Sequence, residues 1–111
     1  MMICNLFDVV EVPFPFSDVL KSKKRKALVI SSREFNADSG NSVLMMITSA
    51  TNSAWKSDIH LTDLETAGLK KSCFCRLKFF TLDNRMILEK VGTLSAKDSA
   101  AVKKAIKAFM V

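Results

Sequence analysis

Two stretches of this chain are apolar on both faces of an extended strand. Between residues 25 and 32, Leu28 and Ile30 fall on one side and Ala27 and Val29 on the other, and Val43-Leu44-Met45-Met46-Ile47-Thr48 repeats the pattern. An extended chain turns successive side chains to opposite faces, so such strands must be covered twice. A sheet that curls on itself or is capped by a helix meets that demand. With 111 residues there is material for one core and not for two, so a single domain over residues 1–111 is expected.

The remaining text supplies the other walls. Asp8-Val9-Val10-Glu11-Val12 predicts a first strand, closed by Pro13-Phe14-Pro15-Phe16 because proline removes ladder donors. Residues 15–24 are polar, lysine-rich and without a helical period, which reads as a surface loop, and a turn is expected over 37–41. Residues 58–61 suggest a short strand. Thr62-Asp63-Leu64-Glu65 reads as a capping box with Gly68 as C-cap, enclosing a helix of one to two turns. Cys73, Cys75, Leu77 and Phe79 alternate with Arg76 and Lys78, the period of a half-buried strand. Thr81-Leu82-Asp83-Asn84 is expected to turn it, with residues 85–91 returning as its partner. Ser95 and Asp98 cap a last helix whose Val102, Ala105, Ile106 and Phe109 form one stripe, with Lys97, Lys103, Lys104 and Lys107 turned outward. The sum is mainly β with minor α: a small half-open barrel of five or six strands, a short helix and a C-terminal amphipathic helix.

Several function classes drop out. The longest apolar run, residues 43–47, is far short of the roughly 18 residues of a membrane span, so no membrane association is expected. The first residues have neither a basic n-region nor an apolar h-region, which points to a cytoplasmic protein. Three cysteines are an odd number, and Cys73-Phe74-Cys75 is neither a redox nor a zinc spacing, so the thiols read as small buried groups. His60 is the only imidazole. With no recognisable ligand spacing around it, no metal or cofactor is expected. Phosphate-loop, dinucleotide, serine-hydrolase and metalloprotease motifs are absent from the sequence. A thiol nucleophile would need His60 beside Cys4, Cys73 or Cys75, and nothing near them suggests a depressed pKa.

A formal net charge of +6 points toward a polyanion, since lysine and arginine supply most nonspecific affinity for nucleic acid. Lys21-Ser22-Lys23-Lys24-Arg25-Lys26 runs straight into a buried strand. Blandly it is a solvated loop. Functionally, an arginine held at a strand mouth can meet a phosphate bidentately while flexible lysines such as Lys23 and Lys24 gather the backbone. Thr48 closes the next hydrophobic run in the same manner. A hydroxyl beside an arginine over an apolar base suits a phosphoryl oxygen.

In order along the chain, Asp8-Val9-Val10-Glu11-Val12-Pro13-Phe14-Pro15-Phe16-Ser17-Asp18, Lys24-Arg25-Lys26-Ala27-Leu28-Val29-Ile30, Ile47-Thr48-Ser49, Ser57-Asp58-Ile59-His60-Leu61 and Phe80-Thr81-Leu82-Asp83 resemble the PemK/MazF group of type II toxins. The resemblance covers nearly the whole chain. It implies an SH3-like barrel of the CcdB/MazF type, a homodimer, and a metal-independent endoribonuclease that cuts single-stranded RNA and is silenced by a cognate antitoxin. Arg25 and Thr48 match the family's reactive pair. Phe14 and Phe16 are candidates for stacking bases, with Ser17, Lys23, Lys24, Ser49, Arg76 and Lys78 as further substrate contacts. Trp55 is expected to pack on a partner or on the barrel rather than bind a base. Two departures touch the ends of the loop. Phe7 stands where the family usually has glycine, with a different strand start as the expected consequence, and Lys26 stands where it has proline, adding a charge beside Arg25. Leu77-Lys78-Phe79 stands where some members carry an acidic residue, so no carboxylate base carries over. Two alternatives stay open: a catalytically idle barrel that binds RNA or protein, and a gyrase-directed toxin like CcdB.

Overall fold

Six antiparallel strands, in the order β4-β5-β3-β2-β1-β6, form the sheet of the computed structural model, which describes residues 1–14, 23–51 and 54–110. They are β1 (Asp8–Phe14), β2 (Lys23–Val29), β3 (Asn41–Ser49), β4 (Ile59–His60), β5 (Cys73–Asp83) and β6 (Glu89–Thr93). The helices are α1 (Arg33–Ser39), α2 (Leu64–Ala67) and α3 (Ala96–Phe109), with a 3-10 turn at Asn84–Met86.

The double burial demanded by β2 and β3 is met by two separate cores. On one face Val9, Leu28, Met45, Ile47 and Cys75 pack with Phe7, Leu61, Ala67, Leu69, Leu94 and Val102, so that α2 and α3 cover this side. On the other face Val10, Val12, Ala27, Val29, Leu44 and Leu82 pack with Cys4 and Ile87, brought there by the N-terminal segment and the chain after the 3-10 turn. The stripe on α3 is sealed at Val102 and thins toward Phe109, which is exposed.

Several expectations need correction. Proline does not end β1 at Val12. The strand runs to Phe14, with Pro13 opposite Lys24. Glu11 turns its carbonyl to Leu88 N–H on the β6 side (2.9 Å). Pro13, two residues on, turns the same way, past the last β1–β6 pair at Glu11 and Glu89, where no ladder donor is missed. Lys23 and Lys24 belong to β2 rather than to a loop. Phe16, Ser17 and the rest of 15–22 lie outside the described residues. The expected turn at 37–41 is the end of α1, capped by Ser32, whose hydroxyl accepts Phe35 N–H, and closed by Gly40 at φ 74°. The N-cap of α2 is Asp63 and not Thr62, because the Thr62 hydroxyl is spent on Asp98 (2.7 Å).

Nor does the segment after β5 fold back on it. The 3-10 turn and the buried Ile87 carry the chain across the barrel, and β6 pairs with β1. This closes the edge that β1 would otherwise leave open. Gly68 and Gly92 let the end of α2 lie directly against β6: a Cβ on Gly68 would stand 2.0 Å from the Val91 carbonyl oxygen, and one on Gly92 2.4 Å from the Ala67 carbonyl carbon.

Phe7 does not displace the strand start, which stays at Asp8. It adopts φ 70°, the left-handed conformation that glycine takes freely. That costs about 1–2 kcal/mol, and burying its ring in the first core offsets about 3 kcal/mol or more.

Asp98 ties α3 to the barrel. Its buried carboxylate accepts Thr62 N–H (3.1 Å) and Asp63 N–H (3.0 Å) besides the Thr62 hydroxyl. Burial pushes this carboxyl up, but the bonds from Asp63, Thr62 and Ser95 outweigh it and hold it below the usual aspartate range. A carboxyl depressed in the folded state stabilises above its unfolded pKa and loses that contribution as pH falls through the folded value. Asp98→Ala is expected to lower the urea midpoint by an amount equivalent to about 2–3 kcal/mol, and Asp98→Asn to flatten the stability profile below about pH 4. A midpoint unchanged by Asp98→Ala would contradict this anchoring role.

Candidate functional site

The start of β2 carries Arg25 to the rim of the second face. Val12 on β1 pairs with Arg25, and the last pair of the β2–β3 ladder is Ala27 with Met46. Two positions further in that register, Arg25 stands across from Thr48. Thr48 in turn pairs with Phe74 on β5, and Phe74 with His60 on β4. A single row therefore crosses five strands, His60, Phe74, Thr48, Arg25, Val12, at about 4.8 Å per step. His60 and Phe74 meet edge to face, with ring centroids 5.2 Å apart.

A cleft of about 340 Å³ opens over this row, lined by Arg25, Met46, Ile47, Thr48, Ser49, Arg76 and Lys78. Five expected site residues, Arg25, Thr48, Ser49, Arg76 and Lys78, thus meet in one place. Arg25 is exposed, Thr48 half-buried. Ser49 turns its hydroxyl toward that of Thr51 (2.9 Å) where the strand leaves the sheet. Phe14 and Lys23 pair with each other at the end of the β1–β2 ladder, on the Arg25 face by alternation but outside the cleft lining. Lys24 turns to the opposite face, 3.8 Å from Glu11. Lys26 follows it and also pairs with Glu11. The expectation that Lys26 adds charge beside Arg25 is therefore corrected: alternation points it away, and a carboxylate neutralises it.

Arg76 is more committed than its sequence position suggests. Its Nε donates to Asp58 Oδ1 at 3.0 Å and an Nη to Oδ2 at 2.9 Å. The Arg76 hydrogen bond holds the Asp58 carboxyl below its usual range, against a smaller upward push from burial. The ring of Trp55 lies against the guanidinium, 4.5 Å from Cζ to the centroid, so Trp55 does pack on the barrel. Sequence reasoning missed Asp58 and Phe74 as neighbours of the site. For Phe74 the signal was available, since the alternation that sets Arg76 and Lys78 on one face includes it.

Along β5 the alternation survives a bulge. Met45 pairs with Phe79 and Met46 with Arg76, so two extra residues, Leu77 and Lys78, sit on the β5 side. Because the insertion is even, Arg76 and Lys78 keep one face while Cys75, Leu77 and Phe79 keep the other. The bulge aims Lys78 into the cleft.

The described cleft lining contains no carboxylate and no imidazole, and among the described residues no three of His, Cys, Asp and Glu converge to hold a metal ion. Its polar equipment is cationic and hydroxylic. Such a set is chemically suited to a phosphodiester and to charge gathering on its nonbridging oxygens.

The sequence matches the model of the PemK-like, MazF-like toxins of type II toxin-antitoxin systems over residues 5–110. The chain belongs to that family. No curated protein sequence matches it. Among solved structures it is similar to MazF from Deinococcus radiodurans, at 18% identity and TM-score 0.76 over 99% of this chain and 98% of that one. It is similar to MazF in the MazE–MazF complex of the same organism, at 17% identity and TM-score 0.78 over 98% and 97%. A mycobacterial endoribonuclease in complex with its cognate antitoxin is 10% identical, with TM-score 0.75 over 97% and 93%. The fold of this PemK/MazF toxin is thus the MazF-type barrel, mostly β with a C-terminal helix. No helix among the described residues is long and apolar enough to cross a membrane.

In this toxin the thiols stand apart from the cleft chemistry. Burial pushes Cys75 up to about 12 and raises Cys4 and Cys73 as well. Iodoacetamide at pH 8 is expected to modify half-buried Cys73 first, and Cys4 and Cys75 only on unfolding, as read by mass spectrometry. Native labelling of Cys75 at the rate of a free thiol would contradict this.

Proposed function

We propose that this toxin is a metal-independent, sequence-specific endoribonuclease acting on single-stranded RNA in the cytoplasm, as one domain over residues 1–111. The observation that carries the reading is the cleft shared by Arg25 and Thr48, and membership of the PemK/MazF family supports it.

The chemistry follows from that equipment. A ribose 2′-hydroxyl attacks the adjacent phosphorus, the bond from phosphorus to the 5′ oxygen breaks, and the products are a 2′,3′-cyclic phosphate and a 5′-hydroxyl. The 2′-hydroxyl proton leaves to solvent, and the departing 5′ oxygen takes a proton from solvent. Arg25 stabilises the negative charge of the phosphorane through its planar donors, and Thr48 donates its hydroxyl to a nonbridging oxygen. Lys78 adds positive charge at the lip. In-line attack needs a splayed backbone, which an A-form duplex denies, so single strands are the substrate. An acidic antitoxin segment fits the same cleft, with carboxylates standing in for phosphates. The mycobacterial endoribonuclease solved with its cognate antitoxin and the solved MazE–MazF complex support that partner.

Purified toxin incubated with a long single-stranded RNA in excess EDTA is expected to release fragments with cyclic-phosphate ends. Arg25→Ala and Thr48→Ala are each expected to lower the rate about 10²–10³-fold. Equal cutting by all three proteins would overturn the assignment. RNA that is bound but left intact would favour the idle barrel, and growth arrest without RNA cleavage the gyrase-directed alternative.

A further inference from the structure

Trp55 is the single tryptophan of a chain that has no tyrosine, and cleavage as described makes no use of it. The ring is held by a closed cycle of contacts. Asp58 grips Arg76 through two hydrogen bonds of 3.0 and 2.9 Å, and the Arg76 guanidinium lies under the indole at 4.5 Å. Asp58 Oδ2 also accepts the Trp55 backbone N–H at 2.8 Å, while Asp58 N–H donates to the Trp55 carbonyl at 3.0 Å. One carboxylate thereby fixes both the cation beneath the ring and the backbone that carries it.

The core does not need this arrangement. Trp55 remains 44% exposed and belongs to neither hydrophobic cluster. An exposed indole clamped on one side loses little further freedom when a second flat group stacks on it. The clamp is also charge-neutral, because Asp58 compensates Arg76. What the ring offers is therefore stacking rather than attraction for phosphate. Its position is specific: Arg76, on which it rests, lines the same cleft as Arg25 and Thr48.

We propose that Trp55, held on Arg76 by Asp58, is the stacking platform for a nucleobase of a single strand whose phosphate lies between Arg25 and Thr48. The inference rests on the nucleic-acid reading of the cleft. It makes Trp55 a substrate-binding residue and Asp58 and Arg76 its positioning residues, and it departs from the expectation that Trp55 binds no base. A duplex, whose bases are already stacked on each other, cannot use the platform.

The lone tryptophan is its own reporter. The intact protein is titrated with a mixed-sequence single-stranded 2′-fluoro RNA, which has no attacking hydroxyl, while Trp55 emission is followed. Quenching is expected with the strand and not with inorganic polyphosphate of equal charge. Trp55→Ala is expected to weaken binding about tenfold and leave the salt dependence of the binding constant unchanged, and Trp55→Phe to restore most of the affinity. Arg25→Ala is expected to reduce the salt slope by about one and to quench fully at saturation. Absence of binding, binding without a change in emission, equal quenching by polyphosphate, or full affinity in Trp55→Ala overturns the platform. The two readings fail separately: quenching with no RNA cleavage leaves the platform standing, and cleavage without quenching leaves the nuclease standing.

Discussion

Burial of β2 on both faces is the constraint on which the site depends. Ala27 and Val29 are sealed in one core and Leu28 in the other, so β2 cannot slip by a residue against β1 or β3 without turning its whole apolar set the wrong way. The same parity sorts the cations beyond the core. Arg25 emerges on the face of Thr48, while Lys24 and Lys26 emerge on the face of Glu11, which pairs with both. A one-residue slip would exchange Arg25 for a lysine in the cleft. The hydrophobic core thus sets the position of a single guanidinium in the interior of the sheet, between β3 and β1.

That parity is why the centre of the fold was legible in the sequence. The double-sided runs around Leu28 and Met45, the alternation of residues 73–79 and the stripe on α3 each state a period. The same periods put Arg25 and Thr48 each at a strand mouth, while the adjacency of the two strands comes from the β2–β3 ladder. What was not legible depends on groups that carry no period. Helix α1 has no apolar stripe: its buried residue is Asn36, which donates to the Cys4 carbonyl at 3.0 Å and accepts from Ser31. Its carbonyl accepts Asn84 Nδ2 at 2.7 Å, and Asn84 takes the Ser42 hydroxyl at 2.6 Å. Polar networks of this kind are built from contacts distant in sequence, which spacing does not encode. The pairing of β6 with β1 was hidden for the same reason, since it joins strands from opposite ends of the sequence.

The two departures from the family pattern proved structurally mild. Phe7 keeps the backbone conformation that a glycine would take and adds a buried ring to the core. Lys26 is removed from the cleft by alternation and held by Glu11. Neither disturbs the row from Val12 to His60. The Asp58, Arg76 and Trp55 cycle uses an arginine of the cleft wall as the support for an aromatic ring.

In the proposed reaction Arg25 and Thr48 clasp one phosphate of a single strand. A crystal structure of the toxin with a 2′-fluoro RNA tests this most directly. The expected complex has a phosphate bridged by the Arg25 guanidinium and the Thr48 hydroxyl, both within about 3 Å of its nonbridging oxygens. A strand bound elsewhere, with Arg25 left in solvent, would contradict it.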